Sequence, residues 1–184
     1  MQDPKLTARA RQVFQMASLR AAHDQHADLS VLHLLAALLK ETEGVMPAVI
    51  DRSGNRQRLQ AAVDLALGAR AKVAGGSPPR PDRGYQAALL QAEAVRGRTG
   101  SDFISTEHLL EAIAAGNGVA AGLLRDAGLD SAAVSGGVRE AGGGAVTSET
   151  PESGFDALGR YGHDLTELAR AGRLDPVIGR DNEI

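Results

Sequence analysis

The feature that most restricts the fold is an internal repeat, because residues of the first half recur 75 positions later in the second half. The segment His33–Leu35 aligns with His108–Leu110, and Ser30 just upstream aligns with Ser105. After a slip of one residue the turn glycines also recur: Gly44 and Gly54 match Gly118 and Gly128. Matching helix caps and turns along the chain predict two copies of one structural unit.

Each copy, about 4–70 and 82–141, has the pattern of four short helices. In the first copy, apolar residues at helical spacing run from Leu6 to Ala17, and a second helix follows an N-cap at Ser30. Gly44 is expected to end that helix, and a short third helix of about 45–53 and a fourth through Leu59–Ala66 follow. In the second copy the helices are predicted at about 83–97, 106–115, 118–127 and 130–140. We therefore expect an all-α fold in which two four-helix halves pack about a pseudo-twofold axis.

Composition agrees with a helical core. The 184 residues include 32 Ala and 22 Leu but only five aromatic residues and no Trp. Ala and Leu are strong helix formers, and small residues let helices approach closely. The scarcity of aromatic and β-branched residues disfavours a sheet.

Several kinds of chemistry are excluded or disfavoured. The absence of Cys removes disulfides, thiol catalysis and thiolate metal sites, and the net charge of −3 disfavours nucleic acid as a partner. Each of the three lysines (Lys5, Lys40 and Lys72) follows a residue other than Gly, so this chain has no P-loop. We expect no catalytic residue, no cofactor and no metal in this chain.

The histidines allow two interpretations. His23 and His26, with Asp24 or Asp28, form a conceivable metal constellation, but the preferred interpretation is a solvated helix end. His33 and His108 lie three residues after Ser30 and Ser105, where packing and capping are favoured over catalysis.

Two Gly- and Pro-rich stretches separate the parts of the chain: Gly75–Pro81 between the repeats, and a flexible linker at about 142–154. Residues 155–184 then carry a short predicted helix at about 164–171 and end on what looks like the truncated start of another domain. No apolar run approaches the length of a membrane span, and the N-terminus lacks the layout of a signal peptide. A cytoplasmic location is expected.

Two segments carry a resemblance to a known family. The repeats, with Leu6-Thr7 opening the first helix and Phe103–Leu110 leading into the sixth, resemble the double N-terminal domain of the Clp/AAA+ chaperones. The tail, from Leu165–Glu167 to Leu174–Ile184, is similar to the segment that enters the first ATPase module of that family. Two segments, the inter-repeat linker and the C-terminal tail, are most similar to those of the ClpB-type disaggregases. ClpA- and ClpC-type unfoldases, which feed a protease, share both features.

The resemblance implies a function for the chain within a longer protein. It would be the substrate-engaging N-terminal domain of an ATP- and Mg-dependent disaggregase. That protein threads unfolded or aggregated polypeptide through a homohexamer, together with a DnaK-type chaperone system. The alternative is an adaptor- or substrate-binding domain of a protease-coupled unfoldase. By itself the chain is expected to be a monomer that binds neither nucleic acid nor membrane.

The resemblance also implies site residues. Positions at the family's substrate-contacting surface match Thr7 and Glu107, beside an apolar groove formed by Leu89, Leu90, Val95 and His108. His108 stands where the family often has a larger apolar residue, so a more polar groove is expected here. A charge that stabilises a helix N-terminus is a compatible second role for Glu107. Val177 and Ile178 resemble residues that line an adenine pocket, which requires the complete ATPase module.

Overall fold

The structure, a computed structural model, describes residues 5–73 and 78–151. Within these residues the chain forms eight α-helices joined by short turns, as predicted. The first repeat contains α1 (Ala8–His23), α2 (Val31–Leu38), α3 (Val45–Arg52) and α4 (Arg56–Gly68). The second repeat contains α5 (Arg83–Arg98), α6 (Thr106–Ala114), α7 (Val119–Asp126) and α8 (Ser131–Glu140). The all-α prediction is confirmed.

Side-chain caps explain where several helices begin. The Thr7 hydroxyl accepts a hydrogen bond from the Ala10 amide at 3.1 Å, at the start of α1. At the equivalent start of α5, the Asp82 carboxylate accepts one from the Tyr85 amide at 2.7 Å. Each cap satisfies one of the amides that a helix N-terminus otherwise leaves without a partner.

Gly44 does not end the second helix as expected. Helix α2 already ends at Leu38, and Gly44 is instead the N-cap of α3, with a φ of 93°. That positive φ is a conformation that glycine adopts without steric cost. Gly54 and Gly128, which the repeat aligned, also share a positive φ, of 65° and 79° respectively.

Helices α2 and α6 form the centre of the molecule. All nine residues of α6 and seven of the eight residues of α2 are buried, so these two helices are covered on every side. The largest fully buried side chains include Leu34, Leu35, Leu109 and Leu110. Burial stabilises each such side chain by about 1.5–3 kcal/mol relative to an exposed one. Alanines on α1 and α5 let the outer helices pack closely against this centre.

Two short backbone pairings exchange contacts between the repeats. Strand β1 (Asp28–Leu29) pairs in parallel with β2 (Arg80–Pro81), which places Leu29 opposite Pro81. Leu6 forms an isolated parallel bridge with Ile104. The repeat offset maps Leu6 onto Pro81 and Leu29 onto Ile104, so the same contact is made twice. In both contacts the residues before the first helix of one repeat pair with those before the second helix of the other. This exchange is consistent with the predicted pseudo-twofold arrangement.

Some expectations lie outside the described residues. These are the short helix at about 164–171, the adenine-pocket positions Val177 and Ile178, and the start of an ATPase module at 155–184. Among the helices that are described, none combines the length and the apolar character needed to cross a bilayer.

Candidate functional site

Thr7 and Glu107 lie near the Leu6–Ile104 bridge, at the first turns of α1 and α6. Thr7 is fully buried, and its amide donates to the Ile104 carbonyl at 2.9 Å. Glu107 is 9% exposed, and its carboxylate accepts a 3.4 Å hydrogen bond from the Thr106 hydroxyl. The Leu6–Ile104 pairing therefore brings the starts of α1 and α6 close together. The structure also gives both side chains structural roles and little accessible surface.

The remaining positions implied by the resemblance divide between surface and core. Leu90 on α5 is 65% exposed and Leu89 is half-buried. Val95 and His108 are buried in the core, where an external polypeptide cannot reach them. Of these four side chains, only those of Leu89 and Leu90 offer apolar surface to a partner.

His108 and His33 close equivalent capping boxes at the starts of α6 and α2. The Ser105 amide donates to Nδ1 of His108 at 3.1 Å, and the Ser30 amide donates to Nδ1 of His33 at 3.0 Å. The capping role predicted for both histidines is confirmed. Because Nε2 of His108 lies 3.0 Å from the Thr99 hydroxyl, this ring is enclosed by polar partners and does not line an open groove. Burial lowers the pKa of each histidine to about 4.

His26 differs from the solvated helix end that was expected. Its side chain is 4% exposed, and its Nδ1 lies 2.8 Å from Nε2 of His33. Since Nδ1 of His33 accepts from an amide, the His33 proton is on Nε2 and is donated to His26. Neutral His26 then carries its own proton on Nε2, a buried nitrogen for which the structure shows no partner. Burial lowers the pKa of His26 as well. No group of three or more metal-binding side chains occurs within the described residues.

An apolar concavity lies elsewhere, beside the start of α5. It is a groove of about 470 Å³ formed by the start of α2, the first turns of α5, the end of α6 and the start of α7. Its walls are mostly small or aliphatic residues: Val31, Gly84, Ala87, Ala88, Ala112, Gly116, Val119 and Ala120. Val119 is 63% exposed, so part of this apolar lining faces solvent. We call this concavity the α5 groove.

The corresponding surface of the first repeat is charged. The repeat offset maps Gly84 onto Arg9 and Gly116 onto Glu41. Nη1 of Arg9 donates to Oε2 of Glu41 at 3.1 Å, and the same guanidinium also pairs with Glu43. Lys40, Glu41 and Glu43 lie beside this arginine at a depression lined mostly by polar residues. The two repeats therefore share one backbone plan but present chemically different surfaces.

A profile of the Clp repeat (R) N-terminal domain matches residues 5–141. The chain belongs to this family. The match includes all eight helices and both exchanged backbone pairings.

Relatives of this Clp N-terminal domain include chaperone proteins ClpB. The ClpB of Rickettsia felis is 32% identical over 188 residues, which cover 100% of this chain and 22% of the relative. The ClpB of Corynebacterium glutamicum is 36% identical over 186 residues, which cover 97% of this chain and 21% of the relative. The chain thus spans about a fifth of the length of these relatives.

A solved structure shows the same fold. The Hsp104 N-terminal domain from Candida albicans matches with a TM-score of 0.68, at 17% sequence identity. The match covers 80% of this chain and 99% of that domain. The eight-helix arrangement is therefore that of the Clp N-terminal domains.

The segment after α8 packs against this Clp N-terminal domain, although its glycines predict a flexible linker. Val146 is buried, its amide donates to the Ser101 hydroxyl at 2.9 Å, and its carbonyl accepts from the Asp102 amide at 2.9 Å. Further along, the Glu149 carbonyl accepts from the Ala8 amide at 2.9 Å. Residues 146–149 thus form a strap that connects the loop before α6 to the start of α1.

Reasoning from the sequence missed the α5 groove. Its residues are not adjacent in sequence and are mostly Ala and Gly, which attract no attention as binding residues. One signal was available in the alignment of the two repeats. Arg9 and Glu41 of the first repeat align with Gly84 and Gly116 of the second, so charged residues are replaced by glycines. Such a difference within an otherwise matching pattern indicates where the two surfaces have diverged.

Proposed function

We propose that this Clp N-terminal domain is the substrate-engaging module of a ClpB-type disaggregase and that it binds extended apolar segments of unfolded or aggregated polypeptide. The open α5 groove is the observation that carries the proposal. Its volume of about 470 Å³ has room for a few aliphatic side chains. Its small walls allow a bound backbone to approach closely, and its partial exposure suits transient binding.

The rest of the proposed function concerns the longer protein. We propose a cytoplasmic, homohexameric ATPase that uses ATP and Mg and works with a DnaK-type chaperone system. Val177 and Ile178 would line its adenine pocket. The ClpB relatives, of which this chain matches about a fifth, support this proposal.

The proposed site extends beyond the α5 groove. Leu89 and Leu90 add an apolar surface on the same helix, which is consistent with a substrate that continues past the groove. Thr7 and Glu107 would contribute through the starts of α1 and α6, where both side chains have little accessible surface. We propose structural roles for Val95 and His108, because both are buried.

Binding of fluorescein-labelled casein, an unfolded protein, tests the proposal by fluorescence anisotropy. Ala87 lines the groove and is exposed, so Ala87→Phe fills the groove without disturbing the core. Ala94 is exposed on the same helix outside the groove, which makes Ala94→Phe the matched control. We expect Ala87→Phe to abolish casein binding and Ala94→Phe to retain it.

Two results would contradict the proposal. Equal casein binding by Ala87→Phe and the parent would remove the groove from the site. In that case, loss of binding in Leu90→Ala would move the site to the Leu89–Leu90 surface. Tight capture of a folded adaptor without casein binding would instead favour the domain of a protease-coupled unfoldase.

A further inference from the structure

We infer that the α5 groove selects aliphatic segments bordered by acidic residues and discriminates against segments bordered by basic residues. The inference rests on the proposed function, because it names the class of segment that the groove takes. Its basis is a comparison of the charges at the α5 groove with those at the equivalent surface of the first repeat.

In the first repeat, the equivalent surface supplies its own counter-charges. Glu41 and Glu43 both pair with Arg9, which shows that this position in the fold accommodates a guanidinium beside carboxylates. In the second repeat, Gly116 replaces Glu41, and the adjoining lining residue is the neutral Asn117. A basic residue entering the α5 groove would lose hydration and find no equivalent carboxylate.

The charged groups around the α5 groove also favour a segment with acidic borders. Of the described residues that line it, Asp82 is the one carboxylate, and it caps the Tyr85 amide and lies 3.9 Å from Arg70. Arg83, next to Asp82, is exposed in the first turn of α5. Arg125 is exposed on α7 and donates to the carbonyl of Gly116, a lining residue, at 3.5 Å. Among the described lining residues the one carboxylate is thus engaged, while Arg83 is the chain neighbour of two lining residues and Arg125 contacts a third.

The small side chains that line the groove determine which residues fit in the core of the bound segment, between its charged borders. Ala87, Ala88, Ala112 and Ala120 leave a shallow trough that branched aliphatic side chains can fill. None of the described lining residues is aromatic. An aliphatic core fills the trough, and a carboxylate beside that core reaches Arg83 or Arg125. Complementary charge of this kind provides selectivity and faster association more than it provides affinity.

Two labelled peptides with the same Leu-Val-Ala-Leu core test the inference on the full chain. One peptide is bordered by Glu on both sides and the other by Lys, and binding is measured by anisotropy. We expect the Glu-bordered peptide to bind about fivefold more tightly, the effect of one or two exposed ion pairs, and added salt to reduce the difference.

Charge-reversal variants identify the groups responsible. Arg83→Glu together with Arg125→Glu should remove or reverse the preference. The control, Arg58→Glu together with Arg139→Glu, changes the net charge equally at exposed positions on α4 and α8 and should preserve it. Ala87→Phe should weaken both peptides.

The outcomes separate this inference from the proposed function. Equal binding of the two peptides, or tighter binding of the Lys-bordered one, would overturn the charge preference and leave the proposed function standing. Failure of both peptides and of casein to bind would overturn both. A preference that survives the Arg83 and Arg125 reversal would overturn the assignment to these guanidinium groups.

Discussion

Lowering the pH below neutrality should destabilise this domain, because its buried histidines resist protonation. His33 and His108 have native pKa values of about 4, against about 6.5 in the unfolded chain. At a pH well above the unfolded value, the histidines are neutral in both states and their contribution to stability is fully present. As the pH falls below 6.5, the unfolded chain takes up protons that the native state does not bind until the pH approaches 4. Stability is therefore lost through this window.

The size of the loss follows from the two pKa values. At about pH 5, each of His33 and His108 should lower the free energy of unfolding by about 2 kcal/mol relative to about pH 7.5. His26 acts in the same direction, since burial lowers its pKa too. Such losses are a large fraction of the about 5–15 kcal/mol that stabilises a typical domain.

Urea unfolding followed by circular dichroism at several pH values measures the effect. In His33→Gln and His108→Gln, the glutamine carbonyl can accept from the N-cap amide, as in a common capping box, but it does not titrate. Each substitution should therefore remove about 2 kcal/mol of the decrease between about pH 7.5 and pH 5. His23 is exposed, so His23→Gln provides the matched substitution of a histidine outside the buried sites.

The comparison concerns the pH slope of stability, so a general loss of stability in a variant does not obscure it. If both glutamine variants kept the parent's decrease on acidification, the buried neutral histidines would not be its origin. The reasoning from burial and hydrogen bonding would then be wrong.

Two further predictions concern the start of α1. Thr7→Ala should lower the free energy of unfolding by about 1 kcal/mol because the hydroxyl cap of α1 is lost, whereas Thr7→Ser should preserve stability in the same urea assay. Val146→Ala should cost about 1 kcal/mol of stability and loosen the strap, so hydrogen exchange of the Ala8 amide should accelerate. The control is Thr147→Ala, at an exposed neighbouring position, which should leave the Ala8 amide as protected as in the parent. Equal protection of this amide in Val146→Ala and Thr147→Ala would show that Val146 does not anchor the strap.

Local patterns were sufficient to predict much of the fold. The Ser30 and Ser105 caps were readable because capping involves residues only three positions apart. Helix spacing was readable for the same reason, since apolar residues recur every three or four positions along one face. The repeat then indicated that both halves follow one plan.

The site was less predictable, since accessibility depends on what packs against a residue. Thr7 fits a contacting position by alignment, yet its side chain is buried beside the Leu6–Ile104 bridge. His26 follows a polar helix end in sequence, yet a hydrogen bond to His33 holds it in the interior. Neighbouring residues in the sequence do not indicate the burial of Thr7 or of His26.

The sequence by itself determined the eight helices, their caps and the duplication, because helix formation is governed by interactions within a few residues along the chain. Only the tertiary structure decided which surfaces stay open. The segments before the helices pair in the same way twice, yet an apolar groove stays open beside α5, where Gly84 and Gly116 stand in place of Arg9 and Glu41. The physical reason is that burial and open volume depend on how side chains distant in sequence pack together. The same helical plan, used twice, therefore has a charged surface in one repeat and an open groove in the other.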